Sequence, residues 1–384
     1  MGWERQKATI QKGPDEPSLI LWLIAGIVAL VAGILLFMLH ANQMLGSLQT
    51  CSVWLLSTGP LIIWITLVFL RGWLFNISFN RHKFESDEAI YAQQQWEKWA
   101  SRYLAVLQSG IILPASVTPY LFLKSSSELI HHNQQACRIA EHNIQELLIM
   151  MEAPTSVLRQ FPADLPLNVT LLTDALQDEP SLQVAFNAAW QKLMPENRPA
   201  PYMNVQHSHS FLVLDERLKS PEISVELILV QQLQGGDNYS DALAVLLLAP
   251  DDVVTKYQLK HDVRLLRPMG LDTSRLSEEL VLFFSTQTQA NATQSIVGDH
   301  SRWAKDFFEL LKASEATGGY WKTEQAHWLE QYAGISGPFS PWIMAAVTSD
   351  VVRLQQADCL LLATDNQQGF ITTVTTGNQD EGNG

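Results

Sequence analysis

Residues 18–75 constrain this chain more than any other stretch. Two apolar runs joined by a short link occupy it. The first, Ser18–Leu39 (SLILWLIAGIVALVAGILLFML), carries no charged side chain. At about 1.5 Å of rise per residue, a helix of that length exceeds the roughly 30 Å hydrocarbon layer of a bilayer. Gly26 and Gly33 lie two turns apart in it, a spacing that permits close contact between membrane helices. The second run, about 53–70 (VWLLSTGPLIIWITLVFL), contains Gly59-Pro60 and lies between Trp54 and Trp73. Proline removes a backbone donor and kinks a helix, and indoles favour the membrane interface. A cleaved signal peptide is not expected. The first run is too long, no small-residue cleavage site follows it, and a second span does.

Lys and Arg near the span ends set orientation. Arg5, Lys7 and Lys12 precede the first span, and Arg71, Arg81 and Lys83 follow the second. The link His40–Ser52 has no Lys, Arg, Asp or Glu. The expectation is a multi-pass protein of a bacterial inner membrane with both termini cytoplasmic. Residues 1–17 form a cytoplasmic segment, 18–75 a transmembrane hairpin and 76–374 a cytoplasmic α/β region. The polar, Gly-rich residues 375–384 form a disordered tail. No ionisable residue lies within the spans; Arg71 and His40 stand at their edges. That argues against a transporter or proton path.

Charge separates the two parts. Residues 1–83 hold six Lys/Arg and three Asp/Glu, and the remainder holds 19 and 36, so a body of net charge −17 follows a basic anchor. Such a body is held off nucleic acid, and no nucleic-acid partner is expected; membrane lipid meets the hairpin. Cys51, Cys137 and Cys359 lack any CxxC or zinc spacing, so free thiols in a reducing compartment are expected.

Within the body, Phe84–Ser101 reads as a helix with an aromatic stripe at Trp96, Trp99 and Tyr103. Tyr103–Leu113 reads as a buried strand and Tyr120–Leu123 as another. Ser127–Met151 reads as a helix, Leu167–Leu172 as a strand and Ser181–Leu193 as a helix stopped by Pro195. The Pro-rich residues 195–201 are the candidate internal boundary. Phe211–Asp215 is apolar, Glu222–Leu233 alternates as a strand, and Leu243–Leu248 is a fully apolar strand. Asp262–Met269 reads as a strand with exposed arginines and Leu276–Ser285 as an apolar run. Ser301–Ser314 reads as a helix, and Ile343–Thr348, Cys359–Ala363 and Phe370–Val374 as the last strands. No sequence repeat is visible. Helices alternating with short apolar strands predict a layered α/β body with a mixed or mostly parallel sheet.

A chemistry is harder to find. His207-Ser208-His209 puts two imidazoles on one face of an extended segment, but zinc needs a third ligand. His131-His132 on a predicted helix point about 100° apart. Ser210, Asp215 and a histidine have no GxSxG elbow around them. Cys359, in ADCLLLA, reads as a buried strand thiol. Gly235-Gly236 and Gly318-Gly319 are turn signals without a GxGxxG pattern, and Asp251-Asp252 and Glu278-Glu279 read as solvated helix caps. No catalytic, cofactor-binding or metal-ligating residue is assigned, and no cofactor is expected. The sequence leans away from an enzyme.

The stretch Tyr91–Pro114 (YAQQQWEKWASRYLAVLQSGIILP), just after the two-span hairpin, and Tyr239–Pro250 (YSDALAVLLLAP) resemble accessory inner-membrane proteins of bacterial type VI secretion gene clusters. These stretches cover under a tenth of the chain and transfer no functional residue. The second stretch also resembles a strand region of thiolase-type condensing folds, whose catalytic Cys and His motifs have no counterpart here. The first resemblance implies an inner-membrane adaptor or scaffold whose partners are secretion-machine subunits or other proteins. Its partner surface is sought among Trp96, Trp99, Trp303, Trp321 and Trp328, since exposed aromatics anchor interfaces; core packing is the alternative for each. The second functional reading is a membrane-tethered enzyme of hydrolase or acyl-group chemistry, centred on His209 and Ser210. A third, an immunity protein against a membrane-acting toxin, requires more external surface than the link offers.

Overall fold

The two apolar runs become helices. Ser18 caps the first, α1 (Leu19–Ala41), its hydroxyl accepting from the Leu21 amide at 3.5 Å. The second, α2 (Val53–Ala100), runs 48 residues through Pro60 without ending. It absorbs the stretch after Phe84 that the sequence sets apart as a separate helix. Both are long and apolar enough to cross a membrane, with mean hydropathy of 2.9 and 2.1 in their most apolar windows. Gly26 and Gly33 lie where the two helices meet: a Cβ at the first would strike the Trp64 ring and at the second the Ser57 carbonyl. Trp64 Nε1 donates to the Trp22 carbonyl at 3.0 Å across this contact.

The computed structural model describes residues 2–5, 12–44, 46, 50–124, 132, 134–139, 146–162, 164–195, 198–220, 222–365 and 368–377. The chain divides into two compact units, residues 6–95 and the body formed by residues 1–5 with 96–384.

The body is built twice from one plan. Its first half runs β1 (Tyr103–Ile112), α3 (Pro119–Leu123), α4 (Glu146–Leu158), β2 (Leu167–Thr173), α5 (Glu179–Leu193), β3 (Met203–Gln206), α6 (Val213–Lys219), β4 (Val225–Gln232) and β5 (Ala242–Pro250). After α7 (Asp251–Tyr257), the second half runs β6 (Val263–Leu266), β7 (Met269–Leu271), α8 (Leu276–Thr286), β8 (Ser295–Gly298), α9 (Trp303–Glu315), β9 (Ala326–Trp328), α10 (Glu330–Ala333), α11 (Ser340–Gln355), β10 (Cys359–Asp365) and β11 (Gln368–Thr376). The sheet order is β3-β2-β4-β5-β1-β6-β11-β10-β8-β9, with β7 beside β11. Reading outward from the β1–β6 seam, each half gives the same succession. The first strand is antiparallel to the last, the last is antiparallel to the fourth, and the second, third and fourth are parallel. The seam pairs Tyr103 with Leu266 through Val106 with Val263, antiparallel. This duplication is absent from the sequence as a visible repeat.

The layers follow from side-chain alternation along the strands. One face of the first half carries Val169, Leu171, Leu227 and Leu229 under α4 and α5. One face of the second carries Ile296, Leu360 and Leu362 under α8 and α9. The remaining faces of both halves share one core with α6 and α11, including Ile228, Val230, Leu361 and Phe211. A mixed, layered α/β body is therefore the architecture.

Several expectations change. Ile343–Thr348 lies inside α11 and is not a strand: this stretch is buried on every side, from Ser340 through Ser349, which hides the helical period. Tyr120–Leu123 is the short helix α3, begun by Thr118 and Pro119. The helix expected over Ser127–Met151 is described only from Glu146, while residues 134–139 are not helical. The arginines of the β6 stretch are not exposed: Arg264 and Arg267 are buried. The Pro-rich residues 195–201 connect α5 to β3 within the first half and mark no domain boundary. Seven residues of the polar tail, 378–384, fall outside the described residues, as do Lys7 and His131.

Candidate functional site

The two halves cover the shared face unequally. In the second half, α11 has 16 residues and 12 of them are buried. Its counterpart α6 has only seven. Pro221 follows in the sequence, and the residue before a proline is pushed out of the helical region; Ser220 accordingly takes φ −130°, ψ 75°. The uncovered strip over β2, β3 and β4 is a groove of about 470 Å³.

Its floor is polar. Asn168, Thr170 and Glu226 come from β2 and β4, and Asn204 and Gln206 from the edge strand β3. Asn168 lies opposite Glu226 in the parallel register, and Thr170 opposite Ile228. Val213 and Arg217, four residues apart on α6, form one wall, and His209 and Tyr202 complete the rim. Arg217 Nε lies 2.7 Å from Glu226 Oε2, and Thr170 Oγ1 donates to Glu226 Oε1 at 3.4 Å. Burial pushes the Glu226 carboxyl above its ordinary range against the pull of Arg217. Burial, and then the charge of Arg217, push the His209 imidazolium below 6.5. The ring stacks on Trp342 of α11 at 5.3 Å, and Trp342 Nε1 donates to the His209 carbonyl at 3.0 Å. A neutral imidazole, a guanidinium and a buried carboxyl thus face one open groove. Divergent pKa shifts of this kind separate proton acceptors from proton donors.

His209 is the one sequence candidate that reaches this groove. His207 turns away, its Nδ1 2.9 Å from the Thr173 carbonyl. Ser210 is exposed and its hydroxyl accepts from the Leu212 amide at 3.3 Å. Asp215 points elsewhere, to Arg267 and Lys219. No Ser-His-Asp arrangement is made by these residues. Among the described residues no group of three or more His, Cys, Asp or Glu could hold a metal ion. Arg217 and Glu226 were not singled out from the sequence. Glu226 had a legible signal, since it stands in phase with Ile228 and Val230 on the inward side of its strand.

The other candidates settle into structure. Cys359 is buried at the start of β10, its thiol pushed up to about 12 by burial. Burial also raises the Cys137 thiol, and Cys51 is exposed outside the body. Asp251 and Asp252 open α7 and bind Arg102 at 2.7 and 3.0 Å. Trp303, Trp321 and Trp328 are core residues and offer no partner surface. Trp96 and Trp99 are half-buried and pack edge-on at 5.3 Å.

One pair of aspartates shows the duplication at residue level. Asp174 directly follows β2 and accepts from the Leu233 and Gln234 amides, just past β4, at 2.8 to 3.0 Å. Asp299 directly follows β8 and accepts from the Thr364 amide of β10 at 2.7 Å. Asp299 also accepts from Ser340 Oγ at 2.8 Å and Trp303 Nε1 at 2.9 Å, and is fully buried. Nearby Glu330 accepts from Ser301 Oγ and lies 3.7 Å from His300 Nδ1. The His300 contact leads in holding its carboxyl down near 2. These groups are mutually satisfied, and the small cavity beside Ser336 and Ser340 is about 20 Å³.

The fold and groove define a duplicated, mixed α/β protein with one open face. No protein-family model matches the chain, and no curated protein matches it. Among solved structures it is similar to one described as a type II PKS acyl-carrier protein in complex with its ketosynthase bound to the hexaketide. That match has 11% identity, covers 71% of this chain and 99% of that one, and has a TM-score of 0.47. It is also similar to acetamide-bound OleA of Xanthomonas campestris (11%, 72% and 99%, 0.43). A third is the 3-oxoacyl-[acyl-carrier-protein] synthase III of Aquifex aeolicus (10%, 71% and 99%, 0.42). No residue role is taken from these likenesses. The expectation of an inner-membrane adaptor or scaffold is corrected: the structures matched are ketosynthases.

Proposed function

We propose that the chain is a membrane-tethered α/β enzyme acting on an ester or acyl group at the cytoplasmic face, with the groove of the first half as its active site. The observation that carries this is the meeting of His209, Arg217 and Glu226 on one open strip of an otherwise closed fold. None of the three cysteines is in the groove, so the chemistry assigned is hydrolytic. His209, neutral at pH 7, takes a proton from water as its oxygen attacks the carbonyl carbon. Arg217 supplies positive charge to the oxygen that becomes negative. The bond to the leaving alcohol or thiol breaks, His209 returns the proton to it, and an acid remains.

The tether reading rests on α1 and α2 and on the basic residues flanking them. Residues 2–5, before α1, belong to the same compact unit as residues 96–384. A chain that leaves one body and returns to it crosses a membrane an even number of times. Lipid around the hairpin is the partner this reading requires.

Purified full-length protein in detergent tests the proposal against p-nitrophenyl esters and acyl thioesters of graded length. Turnover that disappears in His209→Ala and falls at least about tenfold in Arg217→Ala is the expected result. Turnover absent from the wild type, or equal in His209→Ala, overturns it.

A further inference from the structure

We infer that the N-terminal strap and the last turn of α2 set the position of α6, and through it the groove, with Arg267 as the positioning residue. This rests on reading the groove as the substrate site.

The strap is residues 2–5. Trp3 packs edge-on against Trp99 at 5.2 Å and tilted against Phe283 at 5.6 Å, and its Nε1 donates to the Pro268 carbonyl at 3.2 Å. Arg5 donates to Thr286 and lies over the Trp96 ring at 5.9 Å. Next to Pro268 stands Arg267, with a side chain only 1% exposed. Its guanidinium lies 4.1 Å over the Trp99 ring, and its Nε donates to the Trp99 carbonyl at 3.0 Å. Its Nη1 donates to Asp215 of α6. Arg102, two residues past α2, holds the other end of α6: its Nη1 donates to the Leu218 carbonyl at 2.9 Å. The same guanidinium forks onto Asp251 at 2.7 and 3.1 Å.

Helical spacing then separates the two sides of α6. The Asp215 carboxylate and the Leu218 carbonyl are bound by Arg267 and Arg102, while Val213 and Arg217 line the groove. Leu214 and Leu218 seat this seven-residue helix in the shared core and the two arginines tie down its polar side, and a rigid short element transmits a shift at one side to the other. The contacts run from Trp3 through Trp99 and Arg267 to Asp215, and across α6 to Arg217 and Glu226. The strap and the end of α2 are also the points where the chain leaves and re-enters the body. Displacement of either hairpin end is thereby relayed to the residue that charges the groove.

Hydrogen exchange resolved by mass spectrometry on full-length protein in detergent and in lipid nanodiscs tests this without any substrate. In Trp3→Ala, exchange of residues 214–219 is expected to rise about tenfold or more with α11 unchanged. The pH midpoint for diethylpyrocarbonate modification of His209 moves up, because Arg217 is displaced from it. Trp3→Phe restores both. Arg5→Ala serves as a milder second variant. Unchanged exchange in α6, or an equal rise in α6 and α11, overturns the inference, the latter by showing general loss of stability. Coupling observed in a protein without esterase or thioesterase turnover would overturn the enzymatic reading and leave the coupling intact.

Discussion

The second half of the body closes its inner face with the sixteen residues of α11, and the first half leaves the matching face half open over α6. The strand order is the same in both. The closed half carries a fully buried aspartate with its donors satisfied; the open half carries Asp174 half-exposed in the equivalent place. The comparison teaches that one topology can serve as scaffold and as site, depending on how far a single helix extends. The second half supplies stability and the stacking surface for His209. The first supplies the groove and the groups that titrate in it.

The largest expected effect breaks the scaffold side. Trp342 is buried between the halves, against Phe211 at 5.2 Å and His209. Trp342→Ala is expected to cost about 3–5 kcal/mol, through lost transfer energy and a cavity. Urea unfolding of the full-length protein in detergent measures it. A smaller cost than that of Leu214→Ala in α6 would show that the first half carries the shared core instead.

The aspartate pair sharpens the comparison next. Asp299→Ala strands the Thr364 amide, the Ser340 hydroxyl and the Trp303 indole in the interior, each unsatisfied group costing about 1–3 kcal/mol. Asp174→Ala frees groups that water reaches, and about 1 kcal/mol is expected. Equal losses in the same unfolding experiment would mean that the two halves are buried alike around these residues.

Arg217→Ala is expected to cost about 1–3 kcal/mol, since it leaves the buried Glu226 carboxyl without its cation. Its signature is electrostatic: the Glu226 carboxyl moves further up and the His209 imidazole moves back toward 6.5, both readable by NMR titration. A destabilisation as large as that of Trp342→Ala would mark Arg217 as a core strut.

The smallest effect concerns pH. His209 and His327 both have imidazoles held below 6.5 by burial. On acidification the unfolded chain takes up these protons first, so stability is lost as pH falls from about 6.5 toward the folded values. Glu226 works in the opposite sense: its raised pKa favours the folded state at low pH, and that contribution fades as pH rises through the folded value. His209→Gln should flatten part of the acid limb of the melting temperature against pH. An unchanged limb would place the imidazole outside the buried groove wall.

Some of this was legible in residue order alone. The two long apolar helices were, because an uncharged run of this length reads as one helix. So were β1, β2, β4, β5, β10 and β11, which appear as short apolar runs between breakers. Ile343–Thr348 of α11 reads as a strand, since a helical stretch buried on every side shows no amphipathic period. Phe211–Asp215 showed only as apolar, and the helix beside it is short. His209 was noticed for its neighbour His207, with which it shares no site. Its actual partners arrive from a helix and a strand further along the chain.

Local chemistry by itself determined where this protein is apolar over a membrane's width, where β1, β2, β4, β5, β10 and β11 run, and where α6 stops before Pro221. Those outcomes depend on residues within a few positions of one another. Only the tertiary structure decided that the body is one plan used twice, that Trp303, Trp321 and Trp328 are core, and that Arg217, Glu226 and His209 share a groove. Such outcomes depend on which strands pair and which faces meet, and pairing free energy is set by contacts between residues far apart in the chain.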